Sequence, residues 1–334
     1  MIFRPAIIAL LCGSAITSFM LIYAAYYGFR IVRQWDIKSG SELQLSLERK
    51  TYLLSTIMSY VLAFQLASFF LFIFTVDDIH PLFVGAMCAA GTLNVNQYGY
   101  PTVIMKMINF MLAGVWLIVN YTDNRAFDYP LIKKKYLLLL VVAPLVVAEM
   151  ALQGSYFLNM KANVITSCCG SLFSTETEGV TSSIAALPRL PMETAFYASM
   201  VLTLGSGIYF YLRNDRSGYL YSALSIATFA VSVAALISFI SLYFYELPTH
   251  HCPFCILQKE YGHIGYLLYL TLLGGAVSGM GVGALMPFKN IPSLSTVVPA
   301  VQKKLVIAGL TLYLIFAAIA IYEILFSGLK LEGY

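Results

Sequence analysis

Charge is scarce in this sequence: only 11% of its 334 residues are Asp, Glu, Lys or Arg, where soluble domains carry about 25%. That shortage, with 60% hydrophobic residues and a mean hydropathy of +0.79, excludes a soluble globular protein. Strand-period alternation is lacking, as is a Gly-rich phosphate loop ahead of a helix, so nucleotide-driven chemistry is not expected. No Ser-His-Asp order can be read. Histidine is limited to four residues, none of them deep in an apolar run, which argues against bis-histidine haem. Ile256 rather than His follows Cys255, which excludes a c-type haem attachment. The net charge of +4 comes from basic residues in short connections; it reports orientation and points to no nucleic acid.

What the chain does have is long apolar runs, near 6–29, 51–76, 102–122, 136–158, 192–212, 219–245, 264–286 and 305–327. Each is long enough to cross a bilayer, which takes about 20 residues. The first is too long for a signal-peptide core and has no convincing cleavage site. The reading is all-α: a polytopic membrane helix bundle of about eight spans, forming one integral domain over 1–334 in contact with lipid. The stretch 31–48 fits an interfacial helix broken at Gly40 or a charged linker. Fourteen of the twenty Lys and Arg residues fall in the connections 30–50, 123–135, 213–218 and 287–304. The positive-inside rule makes those connections cytoplasmic and places both termini outside.

On that topology the connections 77–101, 159–191 and 246–263 form an outer face rich in cysteine and histidine. They carry Cys88, Cys168, Cys169, Cys252, Cys255, His80, His250, His251 and His263, and Cys12 lies in the outer half of the first span. The loop 77–101 has neither Lys nor Arg; it is expected either to fold back and bring Cys88 toward Cys252 or to form an inert cap.

The most specific segment is Cys252-Pro253-Phe254-Cys255. A Cys-x-x-Cys pair at a helix N-terminus favours the thiolate, the nucleophile of disulfide exchange, and the expected place is the entry to the seventh span. His250 and His251, when protonated, favour the thiolate further. Continued to Ile256-Leu257-Gln258-Lys259, the segment resembles the Cys-Pro-x-Cys-x-x-Gln-Arg segment of the DsbB disulfide bond formation proteins, which pass electrons from periplasmic dithiols to a membrane quinone. The resemblance is limited to Cys252–Lys259. It implies a membrane thiol–disulfide oxidoreductase of a bacterial inner membrane, with the cysteine face periplasmic, a periplasmic thiol protein as partner, and a quinone held near Lys259 and Gln258. Lysine departs from the family's arginine and lacks its planar fork. The family is shorter, with fewer spans and a second, well-separated cysteine pair. Here the candidates for that pair are Cys168 with Cys169, which could close only a strained vicinal ring, or Cys88 with one of them.

A second reading takes the same residues as ligands. His250, His251, His80 and His263, with Cys88, Cys168, Cys169, Cys252 and Cys255, suit zinc, copper or an iron–sulfur cluster. The order Cys88, Cys168-Cys169-Gly170, Cys252-x-x-Cys255 resembles the CCG cysteine-rich module of heterodisulfide-reductase-like proteins, which holds such a cluster, although the gaps here are far longer. A third reading makes the chain a subunit of a larger membrane complex. Within the spans, Lys106, Asn109, Glu149 and Gln153 are costly in lipid; either they serve a quinone or proton path, or Lys106 and Glu149 pair with each other. Gln65 reads as a helix-packing hydrogen bond, and the Gly275, Gly279, Gly283 spacing as a close helix contact.

Overall fold

The computed structural model describes residues 3–37, 39–161, 164–166, 184, 187–213 and 215–329. Among these, eight helices are long and apolar enough to cross a membrane, and no strand occurs. They are α1 (Pro5–Gln34), α2 (Glu42–Asp78), α4 (Gly99–Asp123), α5 (Ile132–Leu158), α6 (Arg189–Arg213), α7 (Gly218–Tyr245), α8 (Ile264–Leu285) and α9 (Val297–Phe326); a short α3 (Ala89–Leu93) lies between α2 and α4. The chain is therefore an all-α integral membrane protein. Only helices and closed barrels satisfy their backbone polar groups within lipid, and these sequences form helices.

The ends follow local chemistry. Pro5 opens α1, where its missing N–H costs nothing, and Arg4 before it is extended. The backbone N–H of Gln44 donates to Ser41 Oγ, and its side chain accepts from Asp36 N–H and donates to Glu48. These bonds start α2 at Glu42, earlier than the apolar run beginning at 51, because a helix continues beyond the lipid once its first turn is capped. The stretch 31–48 accordingly holds the end of α1 at Gln34 and the start of α2 at Glu42.

Contacts divide the chain into two compact units. The first comprises residues 1–75, 96–160 and 287–302. Its apolar core includes Leu21, Leu62, Trp116, Tyr136 and Leu139. Lipid is as apolar as these side chains, so polar contacts add specificity that burial cannot. Glu149 accepts from Lys106 at 2.7 Å, Asn109 at 2.6 Å and Gln65 at 2.5 Å. Lys135 pairs with Asp123 at 2.7 Å and donates to Asn120 at 3.0 Å. Both pairs join α4 to α5. In one pair the cation comes from α4, and in the other from α5.

The second unit comprises 76–95, 161–286 and 303–334. Here α7 and α8 meet closely: a Cβ on Gly279 would stand 2.2 Å from Ser225 Oγ, and one on Gly283 2.3 Å from Ser222 Oγ. This is the use expected of the small-residue spacing. Phe196, Phe239, Leu268, Tyr313 and Phe316 form a core that also takes in Cys88, Cys252 and Cys255. A π turn at Leu236–Ile240 interrupts the α-helical ladder of α7 inside that core.

Candidate functional site

The second unit brings three of the predicted cysteines together. Cys88 Sγ and Cys252 Sγ are 3.6 Å apart across 164 residues of sequence. With Cys255 they form a group whose sulfurs all lie within 4.8 Å of one another. Cys88 and Cys252 are fully buried, and Cys255 is 6% exposed.

Cys88 is positioned by the loop 77–101, for which the sequence left open a fold toward Cys252 or an inert cap. It immediately precedes α3, whose first N–H, from Ala89, is capped by Asp77 Oδ1 at 3.0 Å. Gly85 has φ +89°, and a Cβ there would be 2.3 Å from the Thr166 carbonyl oxygen. Only glycine fits that approach. Thr166 also donates from its backbone to Val84 and from its hydroxyl to Gly91, so the loop is bound to a second segment on both sides of Cys88.

The Cys-x-x-Cys segment does not open a membrane helix, contrary to the sequence expectation. Cys252 lies in an irregular stretch, Cys255 begins the single turn Cys255–Leu257, and α8 starts only at Ile264. A helix dipole acting on Cys252 is therefore not part of this site. The stretch is held by side chains instead. Tyr245 Oη donates to the Cys252 carbonyl at 2.5 Å and accepts from Ile256 N–H at 3.0 Å, closing around the motif. Tyr269 Oη donates to the Pro253 carbonyl. Gln258 spends its amide on the Met87 carbonyl at 2.7 Å, which ties the motif to the residue before Cys88.

Of the four histidines, His250 reaches the cysteines: its Nε2 lies 3.3 Å from Cys255 Sγ, and its ring stands edge-on to Tyr245 at 4.5 Å. The others place Nδ1 on backbone carbonyls. His251 takes Ile237, in the π turn, at 2.9 Å; His263 takes Leu257 at 2.7 Å; His80 takes Asp77 at 2.6 Å. Tyr261 packs on Tyr245 with ring centroids 5.0 Å apart, and burial, followed by the charges of Cys255 and Glu260, raises its phenol above the ordinary value.

Lys259 is exposed. Lys106 and Glu149 belong to the first unit, where each is the other's ion-pair partner. Cys12 is an exposed position on α1. Cys168 and Cys169 lie outside the described residues.

Sequence reasoning missed Tyr245, Tyr269, Asp77 and the Ile237 carbonyl. Tyr245 and Tyr269 sit at span ends, where an aromatic residue reads as an interface anchor, and a π turn has no signature in an apolar run. Compared with protein-family models, with curated proteins and with solved structures, the chain matches none of them.

Proposed function

We propose that this protein is a membrane thiol–disulfide oxidoreductase that passes electrons from external thiols to a membrane quinone through Cys88, Cys252 and Cys255. The observation that carries the reading is the 3.6 Å approach of Cys88 Sγ to Cys252 Sγ beside the second cysteine of the motif. Disulfide exchange needs a thiolate against one sulfur of an existing disulfide, and three sulfurs in mutual reach permit that exchange internally.

The steps balance. A thiolate at Cys88 attacks Cys252 of a Cys252–Cys255 disulfide. The Cys88–Cys252 bond forms as the Cys252–Cys255 bond breaks, and Cys255 departs as a thiolate beside His250 Nε2. Reversal returns the disulfide to the motif. An external dithiol reduces that disulfide, and two electrons with two protons then pass from the Cys252–Cys255 dithiol to a quinone, which becomes a quinol as the disulfide re-forms. All three cysteines are buried, Cys255 the least so at 6% exposed, so the exchange between Cys88 and Cys252 runs out of water. The quinone enters the proposal through the resemblance of Cys252–Lys259 to the DsbB segment, with Lys259 beside its head. The same resemblance places the cysteine face in the periplasm of a bacterial inner membrane, with a thiol protein as partner.

The test is turnover of purified full-length protein with a small dithiol and a short-chain quinone. Cys252→Ser is expected to abolish quinone-linked thiol oxidation while the protein still inserts into membranes. Normal turnover in that variant would sink the reading.

A further inference from the structure

The three sulfurs that serve exchange are also, when reduced, three soft donors within reach of one ion. The Cys88 and Cys252 sulfurs are 3.6 Å apart, all three sulfurs fall within 4.8 Å of one another, and His250 Nε2 is 3.3 Å from Cys255 Sγ. A zinc–sulfur bond of about 2.3 Å in a tetrahedral site puts ligand sulfurs about 3.8 Å apart. The 3.6 Å between Cys88 and Cys252 is close to that figure, and the other sulfur pairs lie within 4.8 Å.

We propose that in the reduced state Cys88, Cys252 and Cys255 bind one soft closed-shell cation, Zn²⁺ or Cu⁺, and that oxidation of the cysteines releases it. The release step rests on the redox reading given above; the binding step does not.

Thiolate donors suit these two ions, whose filled d shells impose little geometry of their own. The donors come from two segments that are already fastened. The Asp77 cap and the Thr166 bonds hold the Cys88 side, and Tyr245, Tyr269 and Gln258 hold the motif side. Three buried protein thiolates hold an ion from one side and leave the fourth position of a tetrahedral site to another ligand. Binding displaces the thiol protons. When two of the three cysteines join as a disulfide, two electrons pass to the quinone, one thiolate remains, and the ion leaves. The ion thus stabilises the reduced protein by mass action.

The experiment uses full-length, detergent-purified protein, reduced and anaerobic, titrated with Zn²⁺ against a chromophoric chelator and with Cu⁺ against a Cu⁺-specific one. One ion per chain is expected, and the titration that saturates identifies which. Co²⁺ used as a probe is expected to show a thiolate charge-transfer band. Outer-shell changes already weaken metal binding about 10–100-fold, so loss of a ligand in Cys88→Ser is expected to weaken it at least about 100-fold, with Cys12→Ser unchanged.

Because Cys88→Ser can disturb packing, protection is also measured in the unmodified chain: the bound ion is expected to slow alkylation of Cys88, Cys252 and Cys255 together. Absence of stoichiometric binding by either ion, or binding without protection of these cysteines, overturns the site. The two proposals separate cleanly. Turnover without stoichiometric ion binding overturns only the metal site, binding without turnover overturns only the oxidoreductase, and binding that survives disulfide formation overturns the release step.

Discussion

Cys88 and Cys252 touch through their sulfurs at 3.6 Å although 164 residues separate them. The contact is made by a loop between α2 and α4 and an irregular stretch between α7 and α8, each fastened by side-chain hydrogen bonds to backbone carbonyls or N–H groups. If it is a step of the relay, removing Cys255 should trap it. In Cys255→Ser, mild oxidation is expected to give a Cys88–Cys252 disulfide, detected as a linked peptide by mass spectrometry. A variant that stays unlinked under the same oxidation would remove Cys88 from the relay.

Gly85 holds the Cys88 loop against Thr166 at φ +89°, with room for no Cβ. Gly85→Ala is expected to cost about 1–3 kcal/mol locally, the scale of a residue forced into sparse backbone space. Hydrogen exchange over 79–95 should quicken, and trapping of Cys88 with Cys252 should slow. Unchanged exchange would show that the loop tolerates the side chain by moving.

Lys106 and Glu149 are each only 1% exposed at the side chain, and Gln65 and Asn109 add donors to the same carboxylate. Removing one partner strands a buried charge, so Lys106→Met is expected to cost about 3–5 kcal/mol, whereas Lys106→Met with Glu149→Leu should recover much of that. Thermal unfolding of the detergent-solubilised variants measures both. A double variant no more stable than the single one would mean that the pair holds α4 and α5 by more than its own charge balance.

Lys259 is solvent-exposed, and its replacement should leave the fold intact. In the proposed reaction Lys259→Ala raises the apparent quinone requirement with little change in the rate at saturating quinone. Identical quinone dependence in the variant and the unmodified protein rejects the role.

The eight spans were legible because each apolar run states its own membrane cost residue by residue, and their existence needs no partner. Their ends were less so. α2 starts at Glu42 rather than at 51 because Ser41, Gln44 and Asp36 form a cap that hydropathy does not register. Lys135 was counted among the orienting loop charges, yet it is fully buried and neutralised by Asp123. That pair spans the turn between α4 and α5, and nothing in the spacing of the two residues announces it.

At the site, the sequence by itself determined the chemistry available: a Cys-x-x-Cys flanked by two histidines, further cysteines in other connections, and a loop free of basic residues that could fold back. Tertiary structure decided which of these meet. It put Cys88, rather than a histidine, against Cys252; it selected His250 for Cys255 and tied His80, His251 and His263 to backbone carbonyls. It also moved the motif off the helix end. The physical reason is that donor type is a property of one residue, whereas a distance of 3.6 Å between two loops is set by everything that fastens them, here an aspartate cap, a glycine without a side chain, two tyrosine hydroxyls and one glutamine amide.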